Sequence, residues 1–133
     1  MNDERFLVDT TVWVHFFRGT KDPLKERLAG LIADDRACAT EIVLFEILRG
    51  ARTQKEYSML LKDFSALPSL PLDAKTWQTA WETAFLCRRR GLNIPAVDTL
   101  IASVAMRHGA TLMHSDRHYE LLCRHTALKT LPV

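Results

Sequence analysis

Short apolar runs alternate with longer helical segments along the whole chain, and this alternation limits the possible folds more than any other feature. Four runs have the length expected of short strands, over residues 6–8, 36–39, 110–113 and 128–131. The segments between them repeat apolar residues every three or four positions, which is typical of amphipathic helices. Strands connected through helices form a parallel sheet with helices on both faces. The sequence therefore predicts an α/β fold with a mostly parallel central sheet.

The ends of several helices are marked by residues with strong positional preferences. Asp22 followed by Pro23 predicts the start of one helix. Asp73 predicts the start of a long helix that ends at Gly91, and Gly19 is expected to end the first helix. These signals give boundaries to the elements that the apolar pattern indicates.

Two groups of apolar residues are expected to lie inside the protein. The segment 42–48 is apolar apart from Glu46, so the helix that contains it is expected to be buried on nearly every side. Large aromatic side chains usually belong to a core. We therefore expect core positions for two aromatic groups, Trp13, Phe16 and Phe17 on the first helix, and Trp77, Trp81 and Phe85 on the long helix.

Length, composition and cysteine content limit the class of protein. A chain of 133 residues, 47% hydrophobic and 26% charged, suits one folded domain, expected over residues 1–133. No run approaches the roughly 20 apolar residues of a membrane span, and the acidic start does not have the form of a secretory signal. The three cysteines form no C-x-x-C pair, which argues against a disulfide framework or a zinc ribbon. We therefore expect a cytoplasmic protein.

Four acidic residues lie in apolar surroundings and are candidates for a functional site. Asp9 and Asp116 follow two predicted strands, so in a parallel sheet they would lie at the same edge, where such folds bind ligands. Glu46 interrupts an apolar run, and a buried carboxylate needs a proton, an opposite charge or a cation. Asp98 begins a helix. Helix capping, the helix dipole and exposure to solvent are the alternative, purely structural explanations for these acids.

Together the four carboxylates suggest a cation site. Clustered negative charges raise one another's pKa unless a divalent cation neutralises them, and oxygen ligands suit Mg²⁺ or Mn²⁺. Such an ion supports phosphodiester hydrolysis, because it lowers the pKa of water and stabilises an in-line displacement. Without these four, 18 basic residues stand against 12 acidic ones, a surplus that suits a polyanionic substrate. The basic run Arg88–Arg90 is equally explained as a solvated helix end.

Four segments carry a resemblance to a known family over essentially the whole chain. They are residues 7–13 (LVDTTVW), 45–51 (FEILRGA), 94–102 (IPAVDTLIA) and 115–119 (SDRHY). Their order and spacing resemble the PIN-domain ribonucleases, specifically the VapC toxins of bacterial type II toxin–antitoxin pairs. The resemblance implies a three-layer α/β/α sandwich and an endoribonuclease that depends on Mg²⁺ or Mn²⁺.

The resemblance also implies roles for particular residues. The metal-binding and catalytic acids would be Asp9, Glu46, Asp98 and Asp116. Two polar residues would lie beside these ligands, Thr11 and Ser115. Independently of the resemblance, three cationic residues close to these acids in the sequence are the candidate RNA contacts, Arg49, Arg117 and His118. His114 stands where many relatives have threonine, a departure that concerns the hydrogen bonding near Asp116.

Partners and substrates follow from the same resemblance. It implies a small VapB-like antitoxin that blocks the site, and toxins that pair as homodimers or assemble with the antitoxin into a heteromeric complex. The expected substrate is a structured RNA, such as a tRNA or a ribosomal RNA loop.

Other functions are weighed against this one. His114 and His118 are four residues apart, but the first ends a predicted strand, so a helical zinc site is not favoured. An aspartyl-phosphate phosphatase commonly needs a second acid two residues after Asp9, where Thr11 stands. Two alternatives stay open: a non-catalytic RNA- or partner-binding module with this fold, and a PIN nuclease of RNA processing outside a toxin–antitoxin pair.

Overall fold

A computed structural model describes residues 3–18 and 22–133, and its helices and strands follow the predicted order. The strands are β1 (Phe6–Val8), β2 (Ala37–Cys38), β3 (Thr111–His114) and β4 (Lys129–Pro132). The helices are α1 (Thr10–Phe17), α2 (Pro23–Ala33), α3 (Glu41–Arg49), α4 (Gln54–Ser65), α5 (Ala74–Arg89), α6 (Ala96–Arg107) and α7 (Arg117–Cys123). The predicted helix end at Gly19 lies outside the described residues. In the described part of the chain no helix has both the length and the apolar character to cross a bilayer.

The four strands form one parallel sheet in the order β2-β1-β3-β4. Leu7 of β1 pairs with Cys38 on one side and with Leu112 on the other. Helices lie between successive strands in the chain, as parallel neighbours require. The prediction of an α/β fold with a parallel central sheet is confirmed. Because all four strands run in the same direction, the residues that follow β1 and β3 lie at the same edge of the sheet.

The two central strands form the middle of the core. Leu7, Leu112 and Met113 are fully buried, as expected of strands covered on both faces. The ring of Trp13 on α1 meets that of Phe64 on α4, with centroids 5.0 Å apart in an edge-to-face arrangement. The pairing of β1 with β3 places the ends of these two strands, from which candidate site residues extend, next to each other.

The predicted start and end signals of the helices act as expected. Asp22 accepts a hydrogen bond from the backbone N–H of Lys25 at 2.9 Å. Asp73 accepts one from the backbone N–H of Thr76 at 2.9 Å and completes a capping box with it. Gly91 follows α5 with a φ of +69°, a conformation that glycine adopts without strain.

The prediction that α3 is buried on nearly every side is wrong. Val43 and Ile47 are buried, whereas Phe45 is 66% exposed. The helix contacts α1, α4 and α6 and keeps one face open to solvent. An apolar sequence alone could not show that part of this helix lies at the surface.

The prediction that the aromatic residues of α5 belong to the core is also wrong. Trp77, Trp81 and Phe85 are 41%, 67% and 65% exposed. The buried face of α5 consists of smaller side chains, Thr76, Ala80, Thr83 and Cys87. Because α5 packs against α6 through this face, small residues let the two helices approach closely and the large rings lie outside.

The aromatic group of α1 matches the prediction only in part. Trp13 is buried, Phe16 is partly buried and Phe17 is 47% exposed. The rings of Trp13 and Phe17 stack with centroids 6.2 Å apart. The group therefore extends from the core to the surface between α1 and α4.

Candidate functional site

Asp9 follows β1, and its carboxylate is buried and held by two hydroxyl groups. Its backbone N–H donates to the carbonyl of Met113 on β3 at 2.9 Å, which ties it to both central strands. Oδ2 accepts a hydrogen bond from the Thr11 hydroxyl at 2.8 Å, and Oδ1 accepts one from the Tyr119 phenol at 3.1 Å. Asp9 stands at the N-cap of α1, yet its side chain makes no capping hydrogen bond. Helix capping therefore does not explain this acid.

Asp116 comes to the same edge two residues after β3, and this acid does cap a helix. Its Oδ1 accepts a hydrogen bond from the backbone N–H of His118 at 2.9 Å. The backbone N–H of Asp116 donates to Nδ1 of His114 at 3.0 Å. Capping engages one carboxylate oxygen, so the structural role and a ligand role are compatible in this residue.

Asp98 lies in the first turn of α6 and faces Asp116 across the ring of His118. Nδ1 of His118 is 3.1 Å from Oδ2 of Asp98 and 3.2 Å from Oδ1 of Asp116. Burial raises the pKa of Asp98 above its usual range, and the charges of Asp116 and Asp9 add to the rise, while the hydrogen bond with His118 opposes it. The three carboxylates therefore act on one another electrostatically, as expected of acids that share a site.

A compact group of possible ligand atoms lies at this edge. The ligand atoms of Asp98, Asp116 and His118 are all within 4.8 Å of one another. Asp9 accepts a hydrogen bond from Tyr119, the residue that follows His118. Burial is the largest cause that raises the pKa of Tyr119, and the charges of Asp9 and Asp98 raise it further. The phenol therefore stays protonated and donates its hydrogen bond to Asp9 over the whole physiological range.

Glu46 is connected to this group through α1. Its Oε1 accepts a hydrogen bond from the Thr10 hydroxyl at 2.7 Å, and Thr10 directly follows Asp9. Glu46 is partly exposed and lines a groove of about 800 Å³ between α1, α3 and α4. Of the four predicted acids, the structure brings Asp9, Asp98 and Asp116 into one electrostatic group and places Glu46 beside it.

His114 links the site to the edge strand. It is 1% exposed, its Nδ1 accepts the N–H of Asp116, and its Nε2 donates to Oε1 of Glu120 at 3.0 Å. The same Oε1 accepts a hydrogen bond from the Thr130 hydroxyl of β4 at 2.7 Å. The pKa of Glu120 is lowered mainly by the hydrogen bond from Thr130, and the hydrogen bond from His114 lowers it further. Both ring nitrogens of His114 are engaged, so the structure does not support a zinc site shared with His118.

The two polar residues predicted beside the acids differ in their contacts. Thr11 donates to Asp9, as described above. Ser115 is exposed and lines, with Thr10 and Thr11, a second groove of about 490 Å³. Thr11 thus touches a candidate ligand directly, whereas Ser115 lines a groove that it shares with Thr11.

The basic residues predicted to contact RNA lie at the surface. Arg49 is exposed at the end of α3, and Arg117 is exposed at the start of α7. Arg117 and Arg124 line a groove of about 500 Å³ that also includes His118. A partly buried acidic group is therefore bordered by exposed cations.

Two residues that hold the acids were not identified from the sequence. Tyr119 contacts Asp9 across 110 positions of chain, and no local pattern indicates that contact. Thr10 donates a hydrogen bond to Glu46. The sequence feature that could have pointed to Thr10 is its hydroxyl group, directly after Asp9. His118, assigned to RNA from its sequence position, lies with its Nδ1 among the acids.

The donor set fits a divalent cation. Asp9, Asp98 and Asp116 supply carboxylate oxygens, the ligand type that Mg²⁺ and Mn²⁺ prefer. The raised pKa of Asp98 reflects burial and repulsion from the other acids, and a bound positive charge would relieve that repulsion.

Comparison with known proteins assigns the family. The model of the PIN domain family matches residues 6–124. Ribonuclease VapC11 of Mycobacterium tuberculosis is 32% identical over 127 residues, covering 92% of this chain and 95% of that protein. Ribonuclease VapC3 of Methanocaldococcus jannaschii is 35% identical over 99 residues, 74% of this chain and 95% of that protein. The crystal structure of VapBC2 from Rickettsia felis, bound to a promoter DNA fragment, has a TM-score of 0.80 at 23% identity, covering 96% of this chain and 98% of that chain. With these matches, the chain belongs to the PIN-domain family and, within it, to the VapC ribonucleases.

Proposed function

We propose that this protein is a metal-dependent endoribonuclease toxin of a type II toxin–antitoxin pair that acts in the cytoplasm. The observation that supports this most is the convergence of Asp9, Asp98 and Asp116 at one edge of the sheet, in a chain whose relatives are ribonucleases by name. The surplus of basic residues outside the acidic group suits a polyanion. The proposed substrate is a structured RNA, such as a tRNA or ribosomal RNA.

The proposed metal ligands come from four separate elements of the fold. They are Asp9, Glu46, Asp98 and Asp116. A Mg²⁺ or Mn²⁺ ion bound there would lower the pKa of water and stabilise charge on the phosphate oxygens during an in-line displacement. Thr11 and Tyr119 keep the Asp9 carboxylate in place, since each donates to a different oxygen. Thr10 restrains Glu46 in the same way.

The proposed RNA contacts are Arg49, Arg117 and His118. His118 lies among the acids, and Arg117 lines a groove together with it. Arg117 directly follows Asp116, so a phosphate held by its guanidinium group would lie next to the acids. Ser115 stands at the rim of the neighbouring groove, where it can contact the same backbone.

The groove between α1, α3 and α4 is the proposed binding site of a VapB-like antitoxin. Val14, Phe17 and Met59 line it with 42%, 47% and 55% of their surface exposed. Its lining also includes residues of both signs of charge, among them Arg18, Arg52, Lys55, Glu56 and Asp63. An amphipathic segment of a partner matches such a surface. Because Glu46 lines the same groove, a bound antitoxin would cover that acid.

A second copy of the chain is the proposed partner of the exposed aromatic surface. This aromatic stripe consists of Trp77, Trp81 and Phe85 on α5 together with Phe45 on α3. Four rings exposed to this degree offer roughly 500 Å² of apolar surface. That is more than half of the about 800 Å² that each partner contributes to a standard interface. A twofold dimer matches a surface to itself, and an apolar stripe meets that condition without complementary charges.

RNA cleavage with and without a chelator tests the proposed function. Purified protein is incubated with tRNA and ribosomal RNA in Mg²⁺ or Mn²⁺, in EDTA, and in EDTA followed by excess ion. We expect cleavage with the ion, none in EDTA, and recovery when the ion is restored. Cleavage that survives in Asp9→Asn protein would identify a contaminating nuclease.

The remaining outcomes separate the alternatives. Binding of RNA without cleavage under every condition would contradict the enzyme and favour a non-catalytic module. Cleavage that is unaffected by EDTA would contradict the metal dependence. Active protein that leaves growth unchanged when expressed without an antitoxin would favour a nuclease of RNA processing over a toxin.

A further inference from the structure

The ring of His118 lies where the carboxylates of α6 and α7 converge. Its Nδ1 is 3.1 Å from Oδ2 of Asp98 and 3.2 Å from Oδ1 of Asp116. The backbone of His118 is fixed at the same point, because its N–H donates to Oδ1 of Asp116 at 2.9 Å. The side chain is 29% exposed, so it remains accessible from solvent.

These distances are close to the spacing of neighbouring ligands on one six-coordinate ion. Ligands about 2.1 Å from an octahedral cation lie about 3.0 Å from each other. Among the described residues, no other group of three or more acidic, histidine or cysteine side chains brings its possible ligand atoms this close together. Hydrogen bonds from Nδ1 would give similar distances, so an experiment must distinguish a ligand from a donor.

None of the other described histidines faces two carboxylates. His15 contacts one carboxylate oxygen, that of Asp22 at 2.7 Å, and His108 contacts the carbonyl of Pro71 at 2.7 Å. His114 uses both ring nitrogens, one towards Glu120 and one towards the N–H of Asp116. The ring of His125 pairs with Arg90 at 3.0 Å. A nitrogen that faces two carboxylates is therefore particular to His118 among these rings.

We propose that His118 is itself a ligand of the divalent cation, through Nδ1, beside Asp98 and Asp116. This inference rests on the proposed function, because it concerns the same site. An imidazole nitrogen is a poorer ligand for Mg²⁺ than for first-row transition ions. His118 therefore shifts the preference of the site away from Mg²⁺ and towards Mn²⁺ and the later ions of that row. This role goes beyond the RNA contact that its sequence position suggests.

Pulsed EPR of Mn²⁺ bound to the full chain tests the inference without any activity measurement. We expect hyperfine coupling from a directly bound ¹⁴N nucleus in the wild-type protein. The coupling should disappear in His118→Ala and His118→Gln and persist in the matched control His125→Ala. The two His118 variants also separate loss of the nitrogen from loss of a polar side chain, and circular dichroism verifies that each variant is folded.

Ion titrations provide the second measurement. We expect the Mn²⁺ affinity of His118→Ala to fall by about tenfold or more. The Mg²⁺ affinity should fall by a smaller factor, so that the preference for Mn²⁺ over Mg²⁺ decreases. Equal losses for the two ions would contradict a selective nitrogen ligand.

The outcomes distinguish this inference from the proposed function. Mn²⁺ bound without nitrogen coupling, or coupling that persists in His118→Ala, would overturn the ligand role and leave the nuclease proposal in place. Absence of any Mn²⁺ binding to the wild-type protein would overturn both.

Discussion

The carboxylate of Asp98 occupies a position that costs the folded protein free energy while no cation neutralises it. Burial is the largest cause of its raised pKa, and the charge of Asp116 is the second. The folded protein therefore binds a proton at this residue more tightly than the unfolded chain does. The cost is therefore absent well below the ordinary pKa, about 3.9, and develops as the pH rises through and above that value. Binding of the proposed ion would remove this cost and would use the same carboxylate.

The first prediction concerns Asp98→Asn. In EDTA at pH 7 the variant should melt at or above the temperature of the wild type, and the difference should shrink below about pH 4. Its cleavage of RNA should fall by about a hundredfold or more, because a proposed metal ligand is lost. Differential scanning fluorimetry at both pH values and cleavage rates in Mn²⁺ measure these effects. A lower melting temperature in EDTA, or full activity, would contradict this account of Asp98.

The second prediction concerns the phenol that holds Asp9. Tyr119→Phe removes a buried hydrogen bond to a carboxylate, an interaction worth about 1.5–3 kcal/mol. We expect a lower free energy of unfolding and a cleavage rate reduced about tenfold, since the carboxylate is less firmly oriented. Urea unfolding and cleavage assays measure the two effects. Tyr57→Phe, at an exposed position on α4, is the matched control and should change neither.

Some residues of the candidate site could be identified from the sequence, and others could not. Asp9 and Asp116 could be placed at one edge because each follows a strand of a predicted parallel sheet. The contact of Tyr119 with Asp9 could not be predicted, because it joins residues 110 positions apart in the chain and depends on tertiary packing. Glu46 could be singled out because it interrupts an apolar run, but the sequence alone left open whether its carboxylate is buried or exposed.

At the scale of the element, the start of α5 is held by a carboxylate with several partners. The pKa of Asp73 is lowered from 3.8 to about 2. The main cause is hydrogen bonding from the backbone N–H and the hydroxyl of Thr76, and the charge of Arg107, at 3.1 Å, adds to it. A lowered pKa in the folded state gives stability that is present above the unfolded value and is lost as the pH falls through the folded one. The contribution of Asp73 should therefore decline between about pH 4 and pH 2.

The third prediction is that Asp73→Ala melts a few degrees below the wild type at pH 7. The difference should narrow towards pH 2, where about half of the Asp73 carboxyl groups of the wild type are protonated. Asp73→Asn keeps a capping side chain but loses the charge that Arg107 contacts. Its melting temperature should therefore lie between those of Asp73→Ala and the wild type. Thermal unfolding followed by circular dichroism from pH 2 to pH 7 measures this. A difference that is independent of pH would contradict the role of the charge.

Elements were predicted well where the signal is local and poorly where it depends on packing. The capping box of Asp73 and Thr76 and the φ of +69° at Gly91 follow from residue preferences within one turn. The exposure of Phe45 and Trp81 does not, because hydrophobicity says that a side chain avoids water without saying which surface covers it. Both errors concern helix faces that are open in the single chain.

At the scale of the whole molecule, the two exposed apolar surfaces are expected to serve different partners. The fourth prediction is that Met59→Glu weakens binding of a VapB-like antitoxin by about tenfold or more, since it places a charge in the apolar part of the groove. RNA cleavage by the free protein should be unchanged. Isothermal titration with the antitoxin and a cleavage assay measure the two properties. Leu61→Glu, on the same helix but outside the groove lining, is the control and should bind normally.

The fifth prediction concerns the aromatic stripe. Trp81→Glu places a charge at a residue that is 67% exposed in the single chain, so the fold should be retained while self-association is lost. Sedimentation velocity should show a dimer for the wild type and a monomer for the variant. Tyr57→Glu, an exposed aromatic position outside the stripe, should remain dimeric. A wild-type monomer at high concentration would contradict the assignment of the stripe to a second copy.

Acids from distant parts of the chain are proposed to share one cation, and a crystal structure grown with Mn²⁺ tests this most directly. Anomalous diffraction locates the ion without reference to activity. The account predicts a single anomalous peak in contact with Asp98 and Asp116, with Asp9 close enough to bind directly or through water. Crystals that contain Mn²⁺ but show no peak among these three residues, or a peak bound elsewhere, would contradict it.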